Sequence, residues 1–263
     1  MTDWDDAFDN VGHVKNALAY FDTWAARSQS YQDSGVTHDL DLPYGPLPRE
    51  RLDVFWPDTA PKGVVIFIHG GYWMRLDRLY FSDLAHGPLK HNWAVAIPSY
   101  TLAPAARINE ITIQISEAIK YVAHKFDGPI RIIGHSAGGH LATRMLCENS
   151  PLPATIQNRI ENTVSISGVH DLRNLRKTKL NDTLRLSKIE VITESPYLSK
   201  PINSARLTCW IGGDERPEFI NQSTIMPQVW DDTALIIEDK KHHFDVIDGL
   251  KDPNSAMVAT LLG

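Results

Sequence analysis

The chain alternates short apolar runs with longer amphipathic runs, and this alternation is what most restricts its fold. Seven runs are typical of strands: 51–56, 64–69, 94–98, 130–134, 163–167, 207–212 and 234–238. Several are almost continuously apolar, as expected for strands covered by helices on both faces. Between them, residues 108–126 and 137–147 have the apolar spacing of helices. The alternation predicts an α/β fold with a doubly wound, mostly parallel sheet and helices on both of its faces.

Two segments depart from this alternation. We expect one domain over residues 1–263, because an α/β domain of this length is large enough to bury its own core. Residues 1–35 precede the first strand and are predicted to form an aromatic-rich helical arm that packs over one edge of the sheet. Residues 171–200 interrupt the alternation and are predicted to be a small helical insertion, a lid or cap. Its basic residues suit a solvated helix face, and the alternative is that one of them attracts an anionic group of the substrate.

Charge and composition exclude several functions. The formal net charge of −6 gives no reason to expect nucleic-acid binding. The acidic N-terminus does not resemble a secretory signal, and no run approaches the ~20 apolar residues of a membrane span, so we expect a cytoplasmic protein that does not bind membranes. The two cysteines and eleven histidines lack the spacing of metal ligands, and no phosphate-binding glycine loop occurs. We therefore expect no metal, no cofactor and a small-molecule substrate; the sequence does not indicate an oligomeric state.

The strand that ends at Gly134 leads directly into a Gly-x-Ser-x-Gly motif. Gly134, Ser136 and Gly138 form the motif, and a helix is predicted to begin at Ala137. A sharp strand-to-helix turn of this kind exposes a strained serine hydroxyl, and the glycines remove side chains that would crowd the turn. The helix N-terminus also places free N–H groups where an oxyanion would form. Ser136 is the predicted nucleophile.

A serine hydroxyl needs a base, and the expected chain order is serine, acid, histidine, each after a later strand. After the strand at 207–212 come Asp214 and Glu215; we take Asp214 as the acid and keep Glu215 as its alternative. After the last strand come His242 and His243; we take His243 as the base and keep His242 as its alternative. The acid would hold the imidazole tautomer and stabilise the imidazolium.

A third element follows the strand at 64–69. The sequence His-Gly-Gly-Tyr-Trp at residues 69–73 can turn backbone N–H groups towards the reaction centre without obstruction by side chains. We expect the amides of Gly71 and Ala137, with Tyr72 as a further donor, to form an oxyanion hole. His69 is expected to hold this loop through a hydrogen bond rather than to transfer a proton.

Together these motifs resemble the α/β-hydrolase superfamily, and within it the arylformamidase (kynurenine formamidase) and related esterase group. The His-Gly-Gly-x-Trp sequence at 69–73 carries most of the resemblance, with the elbow at 134–140, Gly213-Asp214 and His243-Phe244. The resemblance covers the chain from about residue 50 to its end. It implies hydrolysis of N-formylkynurenine, and oxyanion donors at Gly71 and Tyr72.

The function is left open between three hypotheses. We take arylformamidase as the first; a carboxylesterase acting on short acyl or aryl esters is the second, and a ligand-binding protein without catalysis is a remote third. An aryl formamide requires a tight acyl side and an aromatic-lined leaving-group side. Trp73, Tyr72 and Tyr197 are the candidate substrate contacts, and Trp4 and Phe8 are also available for such a wall.

Overall fold

The computed structural model describes residues 2–202, Ser204 and residues 206–263. Eight strands form one sheet in the order β1-β2-β4-β3-β5-β6-β7-β8. The six strands from β3 onwards pair in parallel, whereas β1 and β2 join the edge antiparallel. The strand bounds are β1 His38–Pro43, β2 Arg51–Phe55, β3 Val64–Ile68, β4 Ala94–Pro98, β5 Ile130–His135, β6 Ile160–Ile166, β7 Leu207–Gly212 and β8 Thr233–Glu238.

All seven predicted strands are present, and the mostly parallel sheet is confirmed. The sequence analysis missed β1. This edge strand, His-Asp-Leu-Asp-Leu-Pro, is largely exposed, and its register with β2 shifts between Asp39 and Leu42. A short, acidic edge strand lacks the apolar run by which the buried strands are recognised.

Helices cover both faces of the sheet. Alternate residues of β3 belong to different apolar layers: Val64, Ile66 and Ile68 to one, Val65 and Phe67 to the other. The helix bounds are α1 Trp4–Ala7, α2 Asn10–His13, α3 Ala19–Gln32, α4 His86–Lys90, α5 Ile108–Lys125, α6 Ala137–Arg144, α7 Ala154–Gln157, α8 Leu172–Leu175, α9 Leu180–Leu184, α10 Lys188–Thr193, α11 Pro217–Thr224 and α12 Ala256–Leu262. Short 3-10 turns lie at Arg78–Tyr80, Ser82–Ala85, Pro196–Leu198, Met226–Gln228 and Val246–Lys251.

The segment 171–200 forms α8, α9, α10 and a 3-10 turn between β6 and β7. Its C-terminal part is fixed to the sheet-covering helices by a buried ion pair. The Glu194 carboxylate accepts from Arg144 Nε of α6 at 3.1 Å and from Thr112 Oγ1 of α5 at 2.8 Å. A buried pair of this kind is costly to break, because either partner alone would be an unpaired charge in the core. This end of the segment is therefore held in place against the helices of the sheet.

Candidate active site

Ser136 lies at the turn between β5 and α6. Its backbone has φ 56° and ψ −117°, a left-handed conformation that non-glycine residues rarely adopt. A Cβ on Gly134 would lie 2.1 Å from the Gly138 carbonyl oxygen, so only glycine allows the strand and helix to approach this closely. Ser136 lies in the lining of a cavity at this turn.

His243 is paired with a carboxylate. His243 Nδ1 lies 2.7 Å from Glu215 Oε2, and both side chains are buried. The other oxygen of the same carboxylate accepts from Ser167 Oγ at 2.5 Å and from the Gly212 amide at 3.0 Å. Three donors therefore converge on one carboxylate, which leaves it suited to hold the imidazole in a single orientation. His243 lines the same cavity as Ser136.

The structure places Glu215, and not Asp214, in the position expected of the acid. Asp214 is exposed; its amide donates to the Lys241 carbonyl, and its own carbonyl is 3.1 Å from His13 Nε2. The choice of Asp214 is thereby corrected to the alternative. The reason is local: the turn after β7 leaves the Asp214 side chain exposed to solvent and buries the Glu215 side chain next to His243.

His242 points away from the cavity. Its Nε2 lies 3.0 Å from the Tyr20 hydroxyl, and its Nδ1 lies 3.3 Å from Asp245 Oδ1. His243, in contrast, packs its ring 4.8 Å from Phe219 and 4.7 Å from His135. His135 Nε2 in turn lies 2.8 Å from the His243 carbonyl, so the residue inside the elbow motif helps to fix the histidine loop.

The loop after β3 has an unusual backbone. Gly71, Tyr72 and Trp73 have φ values of 101°, 52° and 56°, three positive values in succession. A Cβ on Gly70 would lie 3.0 Å from the Ser136 Cβ, so the loop passes directly beside the serine. Strain of this kind persists only where the surroundings enforce it. The loop therefore has the position needed to present amides to a group bound at Ser136.

His69 fixes the base of this loop. Its Nδ1 lies 2.8 Å from the Gly70 carbonyl, its ring stacks 4.3 Å from that of Tyr100, and the Tyr100 hydroxyl donates to its carbonyl at 3.0 Å. Complete burial lowers the pKa of His69 to about 4, so the imidazole is neutral at pH 7. This arrangement matches the structural role expected from the sequence.

The described cavity has a volume of about 570 Å³. One of the three candidate substrate contacts, Tyr72, lines it, and the Tyr72 hydroxyl donates to the Phe8 carbonyl at 2.5 Å. The other lining residues are Asp5, Phe8, Asp9, Asn10, Val11, Phe21, Trp24, Gly71, Met74, Arg75, Leu76, His135, Ser136, Lys179, Leu180, Thr183, His243 and Phe244. Most come from the arm, the loop after β3 and α9.

The structure does not bring the other two candidate contacts, Trp73 and Tyr197, into the lining of this cavity. Trp73 is fully buried, and its ring packs edge-on against His140 at 5.0 Å. Tyr197 is half-buried, with the Arg173 guanidinium 5.5 Å from its ring centre. The left-handed run at 71–73 turns the tryptophan into the core and leaves Met74, Arg75 and Leu76 on the cavity side, which residue type alone does not indicate.

Comparison with known proteins agrees with this geometry. The sequence matches the BD-FAE family over residues 52–237, which is more than half of the chain. The chain belongs to the BD-FAE family. Its sheet, its elbow and its relatives make it an α/β-hydrolase of the esterase and formamidase type.

Relatives of this BD-FAE family member include formamidases. The chain is 28% identical to a kynurenine formamidase of Danio rerio, with 90% of this chain and 86% of the relative aligned. It is 24% identical to a kynurenine formamidase of Drosophila melanogaster, with 82% and 70% aligned. A crystal structure from Silicibacter sp. TM1040, named only provisionally as a thioesterase, has a TM-score of 0.96 and 42% identity over the full length of both chains. Esterase B of Lactobacillus rhamnosis (TM-score 0.69, 18% identity, 93% of this chain and 90% of that chain) shares the fold.

In this BD-FAE protein the N-terminal arm forms one wall of the site. Asp6 receives two hydrogen bonds of 2.8 Å from the Arg216 guanidinium, so the arm is held by the residue next to Glu215. Further along the arm, the rings of Tyr20, Phe21 and Trp24 surround Phe244, the residue after His243. The arm therefore contacts both loops that carry the histidine and its carboxylate. The sequence signal was the density of aromatic residues before the first strand.

Because the arm is packed into the fold, Trp24→Ala is expected to reduce the free energy of unfolding by about 3–5 kcal/mol. Trp24 is 1% exposed and contacts Phe81 and His135 as well as Phe244. Denaturant unfolding measures the effect, and Leu18→Ala, at a side chain 61% exposed, is the matched control, expected within about 0.5 kcal/mol of wild type. A loss below about 1 kcal/mol for Trp24→Ala would show that the arm contributes little to stability.

In the part of the chain that the structure describes, no three metal-ligating side chains come together. None of the helices within those residues is both long and apolar enough to cross a membrane. Cys147 and Cys209 are both buried and unpaired, and burial raises the pKa of each thiol.

Proposed function

We propose that the protein is a serine hydrolase with Ser136 as nucleophile, His243 as base and Glu215 as the acid that orients it. The observation that carries this proposal is that His243, which is paired with the buried Glu215, lines the same cavity as a serine held at a strained strand-to-helix turn. A serine hydroxyl is a weak nucleophile, and a neutral imidazole activates it by accepting its proton. Glu215 favours the tautomer in which Nδ1 carries the proton and Nε2 is free to accept one.

The reaction proceeds in two stages. His243 takes the Ser136 proton as the serine oxygen attacks the substrate carbonyl, and then protonates the departing nitrogen or oxygen. An acyl-serine results, and water activated by the same histidine releases the acid and restores the hydroxyl. Amides of Gly71, Tyr72 and Ala137 stabilise the oxyanion in both stages, and each effective donor contributes about 3–4 kcal/mol to the transition state.

The substrate is a small molecule, and we infer an aryl formamide of the N-formylkynurenine type. The support is the kynurenine formamidases, which align over most of this chain. Four aromatic side chains are in the cavity lining: Phe21, which is half-buried, offers surface to an aromatic leaving group, and the buried Phe8, Trp24 and Phe244 make this side of the cavity apolar.

A carboxylesterase is the second candidate, because a cavity of about 570 Å³ has room for a leaving group together with an acyl group longer than formyl. We expect kcat/KM for N-formylkynurenine to exceed that for N-acetylkynurenine by more than about tenfold, since one methyl group in a tight acyl site changes the barrier by about 1–3 kcal/mol. The two substrates share a leaving group, so the comparison tests the acyl side alone. p-Nitrophenyl acetate is the ester control, and a large preference for it over N-formylkynurenine would replace the formamidase proposal with the esterase.

A further inference from the structure

Among the described residues that line the cavity, one cation has no ion-pair partner. Four charged side chains line it: Asp5, Asp9, Arg75 and Lys179. Asp5 Oδ1 accepts from the Lys179 amide at 2.6 Å, and the Lys179 ammonium lies 3.9 Å from Asp5 Oδ2. Asp9 Oδ1 accepts from the Gly12 amide at 2.9 Å. Among the described residues, Arg75 has neither an ion pair nor a side-chain hydrogen bond, and it is exposed towards the cavity.

Arg75 is held next to the reaction centre by its backbone. The Arg75 amide donates to the Gly71 carbonyl at 3.1 Å, which closes a turn of the loop after β3. Its Cγ is only 3.0 Å from the position that a Cβ on Gly71 would take. The stem of the side chain therefore starts beside Gly71, while Gly70 lies beside Ser136. Because Arg75 and Ser136 line the same cavity, a ligand bound at Ser136 that extends through the cavity would pass the Arg75 side chain.

We propose that Arg75 forms an anion-binding subsite, by which the enzyme selects substrates that carry a carboxylate. This inference rests on the proposed function and names the residue that recognises charge in that same cavity. A guanidinium fits a carboxylate through two parallel hydrogen bonds. A phosphate dianion is disfavoured, because the Asp5 and Asp9 carboxylates lie in the same cavity lining and would repel the second charge.

The charge of the whole protein cannot provide this selectivity. The formal net charge is −6, which repels anions at long range. A preference for an anion over its neutral analogue must therefore come from a local cation. Lys179 is the other candidate, but its side chain is 87% exposed and already faces Asp5. The Asp5 carboxylate offsets part of the Lys179 charge, whereas Arg75 has no ion pair among the described residues and begins in the loop that borders the serine.

Binding tests the subsite without any chemical step. The probes are 3- and 4-hydroxybenzoate, each with its neutral amide, titrated against the wild type, Arg75→Gln and Arg75→Lys with detection by NMR. For whichever hydroxybenzoate isomer binds more tightly, the wild type is expected to bind the carboxylate about tenfold more tightly than the corresponding amide. Arg75→Gln is expected to remove this preference. Arg75→Lys keeps the positive charge but lacks the planar guanidinium, and its carboxylate preference is expected to lie between those of the wild type and Arg75→Gln.

Lys179→Gln is the matched control, because it changes the net charge by the same amount; its preference is expected to stay within about twofold of wild type. Equal losses of carboxylate preference in Arg75→Gln and Lys179→Gln would show that the preference depends on the overall charge of the protein and not on Arg75, and would overturn the proposal. So would an absence of carboxylate preference in the wild type for both isomers.

Turnover gives a second readout. The ratio of kcat/KM for 3-acetoxybenzoate to that for 3-acetoxybenzamide is expected to fall about tenfold in Arg75→Gln, and an unchanged ratio would contradict the subsite. If neither ester is cleaved by the wild type, esterase activity is not supported, and the binding titrations still decide the role of Arg75.

Discussion

Ser136→Ala is expected to lower kcat by about 10⁴-fold or more on any substrate that the wild type hydrolyses. Alanine removes the oxygen that would form the acyl bond and leaves His243 without a proton to accept. The residual rate would come from amides that still polarise the carbonyl and from binding alone. Steady-state hydrolysis of N-formylkynurenine measures the loss, and a thermal unfolding curve shows whether the variant is folded.

Labelling by a fluorophosphonate separates an enzyme from a ligand-binding protein of the same fold. The wild type should be labelled, and Ser136→Ala should not, because the reagent reacts with an activated serine oxygen. Ser30→Ala is the control, since Ser30 is exposed on α3 and away from the cavity lining. A folded wild type that resists labelling would favour the ligand-binding hypothesis, and labelling that survives in Ser136→Ala would move the nucleophile elsewhere.

The fold could be predicted because its buried strands are apolar runs. β3 and β5 are completely buried, and apolar residues therefore dominate their sequences, Val-Val-Ile-Phe-Ile and Ile-Arg-Ile-Ile-Gly-His. The same reasoning fails for β1, where exposure on an antiparallel edge permits aspartate at alternate positions. Burial leaves a pattern in the sequence, and an exposed edge strand does not.

Within the site, features that depend on a few consecutive residues could be predicted, whereas features that depend on contacts between distant parts of the chain could not. The strained turn at Ser136 could be predicted because all of it lies within five consecutive residues. The directions of Trp73 and Tyr197 could not, because they depend on the left-handed run at 71–73 and on the packing of the segment 171–200, neither of which residue type reveals. The same holds for Arg75, whose contact with Gly71 and place in the cavity lining depend on the folded loop.

The choice between Asp214 and Glu215 depended on one turn. The Glu215 amide lies 3.3 Å from the Gly212 carbonyl, and the Asp214 amide is fixed to Lys241 on the neighbouring histidine loop. These two backbone contacts determine which of two adjacent carboxylates faces inwards. A Gly-Gly-Asp-Glu sequence is compatible with either outcome, so the sequence could indicate both carboxylates but not which of them faces His243.

Glu215→Gln is therefore expected to lower kcat by about 10⁴-fold, while Asp214→Asn, the matched change at the exposed neighbour, should stay within about threefold of wild type. The amide keeps the size of the side chain but has only one acceptor oxygen. If that oxygen continues to accept from Ser167 Oγ and the Gly212 amide, the glutamine NH₂ faces His243 Nδ1, where two donors would meet.

To avoid that clash, the imidazole must adopt the other tautomer, and Nε2 then carries a proton and can no longer take one from Ser136. The loss should consequently appear in kcat and in the rate of fluorophosphonate labelling, with thermal stability as the check on folding. The opposite pattern, an active Glu215→Gln and an inactive Asp214→Asn, would mean that the loop after β7 rearranges during turnover. Because the two substitutions are chemically alike and adjacent in the chain, only the direction of the side chain distinguishes their expected effects.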